Sequence, residues 1–327
     1  MIMADKAPKT SGWNLRSLIA EYVGLIVALG ILILIFSVKA ENFLALTTFR
    51  TSANQIPAAV IIAVGMTFVL IIAGIDLSVG SIVAISGAVL GICLNPLGAK
   101  LGLAVAIPAC LAVGIACGLL NGLVTVRWAL PSFIVTLGMM EIARGGGYLI
   151  TDSRTIYIGQ TIASISNISV FGLSLPFLLA VAIVIAAQVT LSGTTFGRHM
   201  IAVGANEETA RLSGVNTKRI KVAVFTISGL LCAIAAVINT SRMESADPNA
   251  GAGFELQAIA AAVIGGTSLM GGRGSVVSTF FGVLIIATLS AGLNQIGAQE
   301  PTKRLITGLV IVAAVILDHY RHRRKVA

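Results

Sequence analysis

Long apolar runs partition this chain. Residues 22–38, 51–75, 77–99, 101–126, 222–241, 256–272 and 274–299 contain no Asp, Glu, Lys or Arg. A helix crosses about 30 Å of hydrocarbon with roughly 20 apolar residues at about 1.5 Å each, and several of these runs are that long. The pattern predicts ten helices near residues 22–38, 56–73, 78–95, 101–126, 131–150, 172–191, 222–242, 256–271, 275–297 and 303–318. The fifth is interrupted by Glu141, Arg144 and the triplet Gly145–Gly147, so it reads as broken or as lining a wet cavity, with Arg144 an i+3 partner for Glu141. The tenth has only 13 uncharged residues between Arg304 and Asp318. Its flanking basic groups can snorkel to the interface.

Composition agrees with the pattern. Of 327 residues, 57% are apolar and 11% charged, against roughly 25% charged in ordinary globular chains. So few charges cannot cover a soluble surface of this size. The fold class is all-α and polytopic, and a soluble enzyme is excluded. The net charge of +9 is scattered between apolar spans rather than gathered in a stripe, so it points to topology and not to nucleic acid.

Placing both termini and the loop 192–221 in the cytoplasm collects Lys6, Lys9, Arg16, Arg127, Arg198, Arg211, Lys218, Arg219, Lys221, Arg273, Arg321, Arg323, Arg324 and Lys325 there. That is 14 of 22 basic residues, in the sense of the positive-inside rule. The expected organisation is a cytoplasmic segment 1–21, a transmembrane domain 22–318 containing the loop 192–221, and a basic cytoplasmic tail 319–327. The N-terminal apolar run lacks a small-residue cleavage pattern and reads as a retained first helix. Cys93, Cys110, Cys117 and Cys232 sit inside apolar runs without CxxC spacing, which suits buried thiols rather than a disulfide or metal framework.

Glycine has meaning in two places. Gly114, Gly118 and Gly122 recur every four residues on the fourth helix, giving one face that a second backbone can approach closely. Gly65-Met-Thr67 before Gly80-Ser, and Gly265-Gly-Thr267 before Gly274-Ser, form a weak internal repeat of helix, Gly-rich break and small-residue helix. Repeated halves are common in transport folds.

Catalytic chemistry finds no support. The sequence contains neither a GxxxxGK[ST] phosphate loop nor an HExxH zinc motif. The stretch Gly74-Ile-Asp76-Leu-Ser78-Val-Gly80 departs from a GxSxG nucleophile elbow, because Asp76 stands where the first glycine belongs. No catalytic residue, metal ligand or cofactor is assigned. Asp76 costs at least about 2.5–3.5 kcal/mol at bilayer depth. It is either an ion carrier, a substrate contact, or with Ser78 and Gly80 a structural turn that caps the next helix.

The loop 192–221 contains a helix signal of its own. Asn206 followed by Glu207 and Glu208 is a helix start and Gly214 a stop. A capped two-turn helix presenting Ala210 and Leu212 suits docking to a partner better than a plain linker does.

These residues resemble the permease subunits of ATP-binding-cassette importers for monosaccharides, above all ribose-type permeases. The resemblance covers nearly the whole chain after the first helix. It is carried by AVGMTFVLIIAGIDLSVGSIVAISG (63–87), PSFIVTLG (131–138), GANEETARLSGV (204–215) and FELQAIAAAVIGGTSLMGGRGSVVST (254–279). Ala205 and Ser278 stand where such permeases often have glycine.

The resemblance implies the ten-helix type II importer fold, a homodimer in a bacterial cytoplasmic (inner) membrane, a separate ATPase subunit and an extracytoplasmic sugar-binding protein. It makes the segment of Gly204, Asn206, Glu207, Ala210, Leu212 and Gly214 an ATPase-coupling helix. ATP chemistry then belongs to the partner, and this chain is a transport subunit. Polar groups expected along a sugar pathway are Asn54, Gln55, Asn121, Thr136, Gln257, Asn294 and Gln295. Competing readings are a secondary transporter with a coupling proton on Asp76 or Glu141, and the same importer class carrying a branched-chain amino acid, a cofactor or a signalling sugar derivative. A channel would need a continuous pore.

Overall fold

The computed structural model describes residues 15–97, 99–170, 173–299, 301–303, 305–310, 312–313 and 316. In chain order the helices begin with α1 (Leu15–Lys39), α2 (Leu46–Gln55), α3 (Pro57–Ile71), α4 (Val79–Leu97), α5 (Ala99–Arg127) and α6 (Ser132–Ile150). A polar excursion follows, made of β1 (Ile156–Tyr157), α7 (Gln160–Asn167), β2 (Ser169–Val170) and β3 (Leu173–Ser174). Then come α8 (Leu175–Gly193), α9 (Thr195–Ala205), α10 (Glu207–Leu212), α11 (Thr217–Met243), β4 (Ser245–Ala246), α12 (Phe254–Ile264) and α13 (Val276–Gln295).

Six of the described helices are long and apolar enough to cross a membrane: α1, α5, α6, α8, α11 and α13. The pair α2 and α3, bent by 46° at Pro57, makes a seventh span, and α4 and α12 are shorter apolar helices. Nine of the ten expected segments are therefore helical. The tenth falls partly outside the described residues, as do the termini 1–14 and 317–327.

The bundle is built around α3 and α11. Every residue of α3 except Ala59 is buried, which accounts for its uninterrupted apolar sequence. The helix α11 packs against α5, α3 and α4. Its contact with α5 depends on absent side chains. A Cβ added at Gly114 would lie 2.6 Å from that of Ala233, one at Gly118 would overlap the Phe225 carbonyl, and one at Gly122 would lie 2.8 Å from the Val222 Cα. Apolar burial gains little in lipid, so such close backbone approach is what holds two helices together. The outer helix α1 leans on α13, and exposes Val23, Ile26, Ile31 and Leu34 where hydrocarbon would lie.

Two sequence expectations are corrected. The helix α6 is continuous through Gly145–Gly147 rather than broken. Within the triplet Gly146 serves packing, since a Cβ there would meet the Ile85 side chain of α4 at 2.8 Å. Nor does Arg144 pair with Glu141. Its Nε donates to Ser81 Oγ (3.3 Å) on α4, and Glu141 is exposed.

The internal repeat is present as two helix–break–helix units, α3 with α4 and α12 with α13. Each first helix ends in the same paired backbone turn. Ala73 N–H donates to Leu70 C=O and Gly74 N–H to Val69 C=O, and correspondingly Gly266 N–H to Val263 C=O and Thr267 N–H to Ala262 C=O. Ala73 and Gly266 take the left-handed conformation this turn requires (φ 57° and 84°). The correspondence therefore falls at these helix ends and not at Gly65 and Gly265 themselves. Thr67 and Thr279 join the units through a 2.8 Å hydroxyl contact.

Candidate functional site

One end of the bundle carries the helix breaks and the α9–α10 segment. The Asn206 side chain accepts from Thr209 N–H (2.9 Å), with Glu207 and Glu208 in the first turn. Gly214, in the left-handed conformation (φ 84°), closes the helix as Gly214 N–H donates to Arg211 C=O and Val215 N–H to Ala210 C=O. Glu207 is held by Lys221 of α11 and Glu208 by Arg211. The Arg211 guanidinium holds the Glu208 carboxyl below its ordinary range. Leu212 is 75% exposed, whereas Ala210 is buried at 5%. The expectation that both present apolar surface is thus corrected: Ala210 faces inward because α10 lies against α9 and α11.

The helix α9, a second helix inside what reads as one loop in the sequence, links α10 to the bundle. Its Gly204 touches two breaks at once. A Cβ there would overlap the Ile71 carbonyl at the end of α3 and lie 2.6 Å from Gly272 N in the break before α13. The Gly272 N–H donates to that same Ile71 carbonyl (2.8 Å), satisfying an acceptor that the end of α3 leaves bare. A Cβ on Gly271 would in turn lie 2.7 Å from the Gly204 carbonyl. Three backbone segments therefore meet without intervening side chains.

Asp76 ties the break between α3 and α4. Its Oδ1 accepts from Ser78 N (3.0 Å) and Ser78 Oγ (2.6 Å), and its Oδ2 accepts from Ser228 Oγ (3.1 Å) on α11. Ser78 Oγ also accepts from Asn121 Nδ2 (2.9 Å). Thr136 Oγ1 accepts from Leu77 N (3.1 Å) and donates to Ile75 C=O (3.2 Å). Gly80 approaches Gly251 so closely that a Cβ on either would strike the other's backbone. Removing the acceptor of three buried donors costs about 1–3 kcal/mol for each group left bare. Asp76→Ala is therefore expected to lower the folded yield and melting temperature in detergent. Asp76→Asn, which retains a carbonyl acceptor, is expected to keep most of both and most of the transport. A thermal-shift and uptake assay checks this; an Asn variant that folds normally yet transports nothing would make the carboxylate itself the working group.

At the opposite end lies a cavity of about 220 Å³ between α2, α3, α11, α12 and α13. Of the polar residues expected along a pathway, Gln55, Gln257 and Asn294 line it. Asn121 and Thr136 are buried in the break just described. Asn54 is exposed outside the lining, and Gln295 Nε2 donates to Thr48 Oγ1 (2.9 Å). Ser52, Asn239, Arg242 and Ser290 also line the cavity and were missed in the sequence. A signal existed for two of them: Asn239 and Arg242 are a polar i, i+3 pair closing an otherwise apolar span.

Residues 48–315 match the family of branched-chain amino acid transport system permease components. The ribose import permease protein of Haemophilus influenzae is 39% identical over 97% of this chain and 98% of its own length. That of Escherichia coli K12 is 37% identical over 90% and 92%. The L-arabinose transport system permease protein of the same strain is 36% identical over 98% and 96%. The matched region runs from α2 through α13, taking in both helix breaks, the α9–α10 segment and the cavity. The chain therefore belongs to this family of membrane permease components.

Proposed function

We propose that the protein is the membrane permease subunit of an ATP-driven, binding-protein-dependent importer, and that its cargo is a monosaccharide, a ribose-like pentose or a related hexose. The relatives named for ribose and arabinose import, similar along almost their full lengths, support the cargo. In this reading the α10 end faces the cytoplasm, both termini lie there, and residues 1–21 and 319–327 flank a transmembrane domain 22–318. Two copies of the chain bound a central path in the cytoplasmic membrane. A separate ATPase docks on Asn206–Gly214, with Leu212 offering the apolar contact, and a sugar-binding protein delivers cargo at the other face.

The observation that carries the pathway is the convergence of Gln55, Gln257 and Asn294 from three helices on one cavity. Amides both donate and accept hydrogen bonds, so they can exchange partners with sugar hydroxyls. A weakly holding lining of amides and hydroxyls with a single arginine suits passage better than storage. The cavity and the Gly204 junction share α3, α12 and α13 as walls and neighbours, so motion of α9 is transmitted to the walls. Alternating access follows when the two ends open in turn.

Asn294 and Gln257 are exposed to the cavity, so larger side chains can be accommodated without displacing the core. Asn294→Trp is expected to cut sugar uptake by at least about tenfold while the ATPase subunit still co-purifies. Uptake into reconstituted vesicles checks this, and unchanged uptake would remove the cavity from the path.

A further inference from the structure

We propose that Arg242 is the element of the cavity that excludes cations from the sugar path. The inference rests on the reading of this cavity as that path. Among the described residues Arg242 is the sole charged group in the lining; the remaining polar contributions are amides and hydroxyls. It has no carboxylate partner among those residues, and its hydrogen bond runs from Nη2 to Asn239 Oδ1 (3.4 Å) one turn earlier on α11.

Neutral amides and hydroxyls pose a problem for an importer. Their oxygens accept hydrogen bonds from a polyol, but they also solvate a monovalent cation. A cavity lined by them alone would take up cations at one face and release them at the other in each alternating cycle, dissipating ion gradients during turnover. A guanidinium corrects this without blocking sugar. It stays charged at every physiological pH and offers only donors, so it hydrogen-bonds to hydroxyl oxygens while repelling cations. The repulsion is strengthened by low-dielectric walls, and a single arginine or a set of helix dipoles performs this exclusion in other membrane pores.

Its position fits the task. Arg242 lies in the last turn of α11, at the end of the bundle opposite Gly204 and α10, among the residues that line the cavity. Asn239 engages one nitrogen of the fork, and both residues line the cavity.

The test uses the complete importer in proteoliposomes, with methylammonium as the cationic probe and a lumenal pH dye for protons. Vesicles are measured while ATP and the sugar-loaded binding protein drive turnover. Arg242→Gln is expected to raise methylammonium entry at least about tenfold, whereas Arg242→Lys, which keeps the charge, stays as tight as the parent. Asn239→Asp places a carboxylate beside the guanidinium, cancels its field with the arginine still present, and is expected to leak as well. It keeps the test decisive if Arg242→Gln does not assemble.

Adding Asn294→Trp to a leaking variant is expected to close the leak together with sugar uptake. If the charge-cancelled variants remain as tight as the parent, Arg242 does not act as the filter. If Asn294→Trp leaves sugar uptake untouched, the cavity reading fails instead, and the two failures are told apart.

Discussion

Replacing Gly204 by valine is expected to abolish ATP-driven uptake while the bundle stays folded. Gly204 lies inside α9 with no unusual backbone angle, so valine is tolerated there conformationally. Space is what forbids it, because a Cβ would overlap the Ile71 carbonyl and crowd Gly272 N. Overpacking a side chain in a core costs about 1–3 kcal/mol, and here the obstacle is backbone, which cannot rotate away. The junction must open, which breaks the 2.8 Å hydrogen bond from Gly272 to Ile71 and separates α9 from both helix breaks. Uptake should fall at least about tenfold, and the purified subunit should keep its helical spectrum. Gly193→Ala is the control, since a Cβ there lies 3.8 Å from Val189 Cγ1, an ordinary contact. Normal uptake by Gly204→Val would show that the junction transmits nothing.

Much of the fold was legible because lipid imposes a simple rule. Each span must satisfy its own backbone within roughly 20 apolar residues, so nine expected segments are helical. What misled was chemistry that means one thing in water and another in a packed bundle. The triplet Gly145–Gly147 marks a break in a lone helix, yet α6 runs through it, and at Gly146 the Ile85 side chain of α4 occupies the space of the missing side chain. Arg144 ignored Glu141 for Ser81 because pairing three residues along a helix is worth only a few tenths of a kcal/mol. The capped helix at Asn206–Gly214 was readable from local rules, which act within one turn. The inward face of Ala210 was not, since it depends on how α9 and α11 sit. Among the polar residues the sequence offered seven equals. The structure brought Gln55, Gln257 and Asn294 to one cavity and put Asn121 and Thr136 into the ties around Asp76. Nothing in the spacing separated those groups, because cavity and tie both call for a polar residue inside an apolar span.

The second large effect concerns α10 itself. The helix is exposed on one side, capped by Asn206 and anchored by Glu207 to Lys221, so its exchange touches the packed bundle only through Ala210 and that ion pair. Replacing Asn206–Gly214 by a Gly-Ser linker of equal length removes Leu212, the cap and the rigid turn together. A flexible linker in place of a helix must be ordered again on docking, at about 1–2 kcal/mol of backbone entropy per residue. The ATPase is then expected to be lost from the complex and uptake to fall to background. The measurement is purification through a tag on this chain in mild detergent, with co-eluting proteins identified and ATP hydrolysis assayed. The predicted result is a stoichiometric ATPase with the parent chain and none with the linker variant. A parent complex that contains no ATPase, or one that retains it in full when α10 is replaced, would contradict the account.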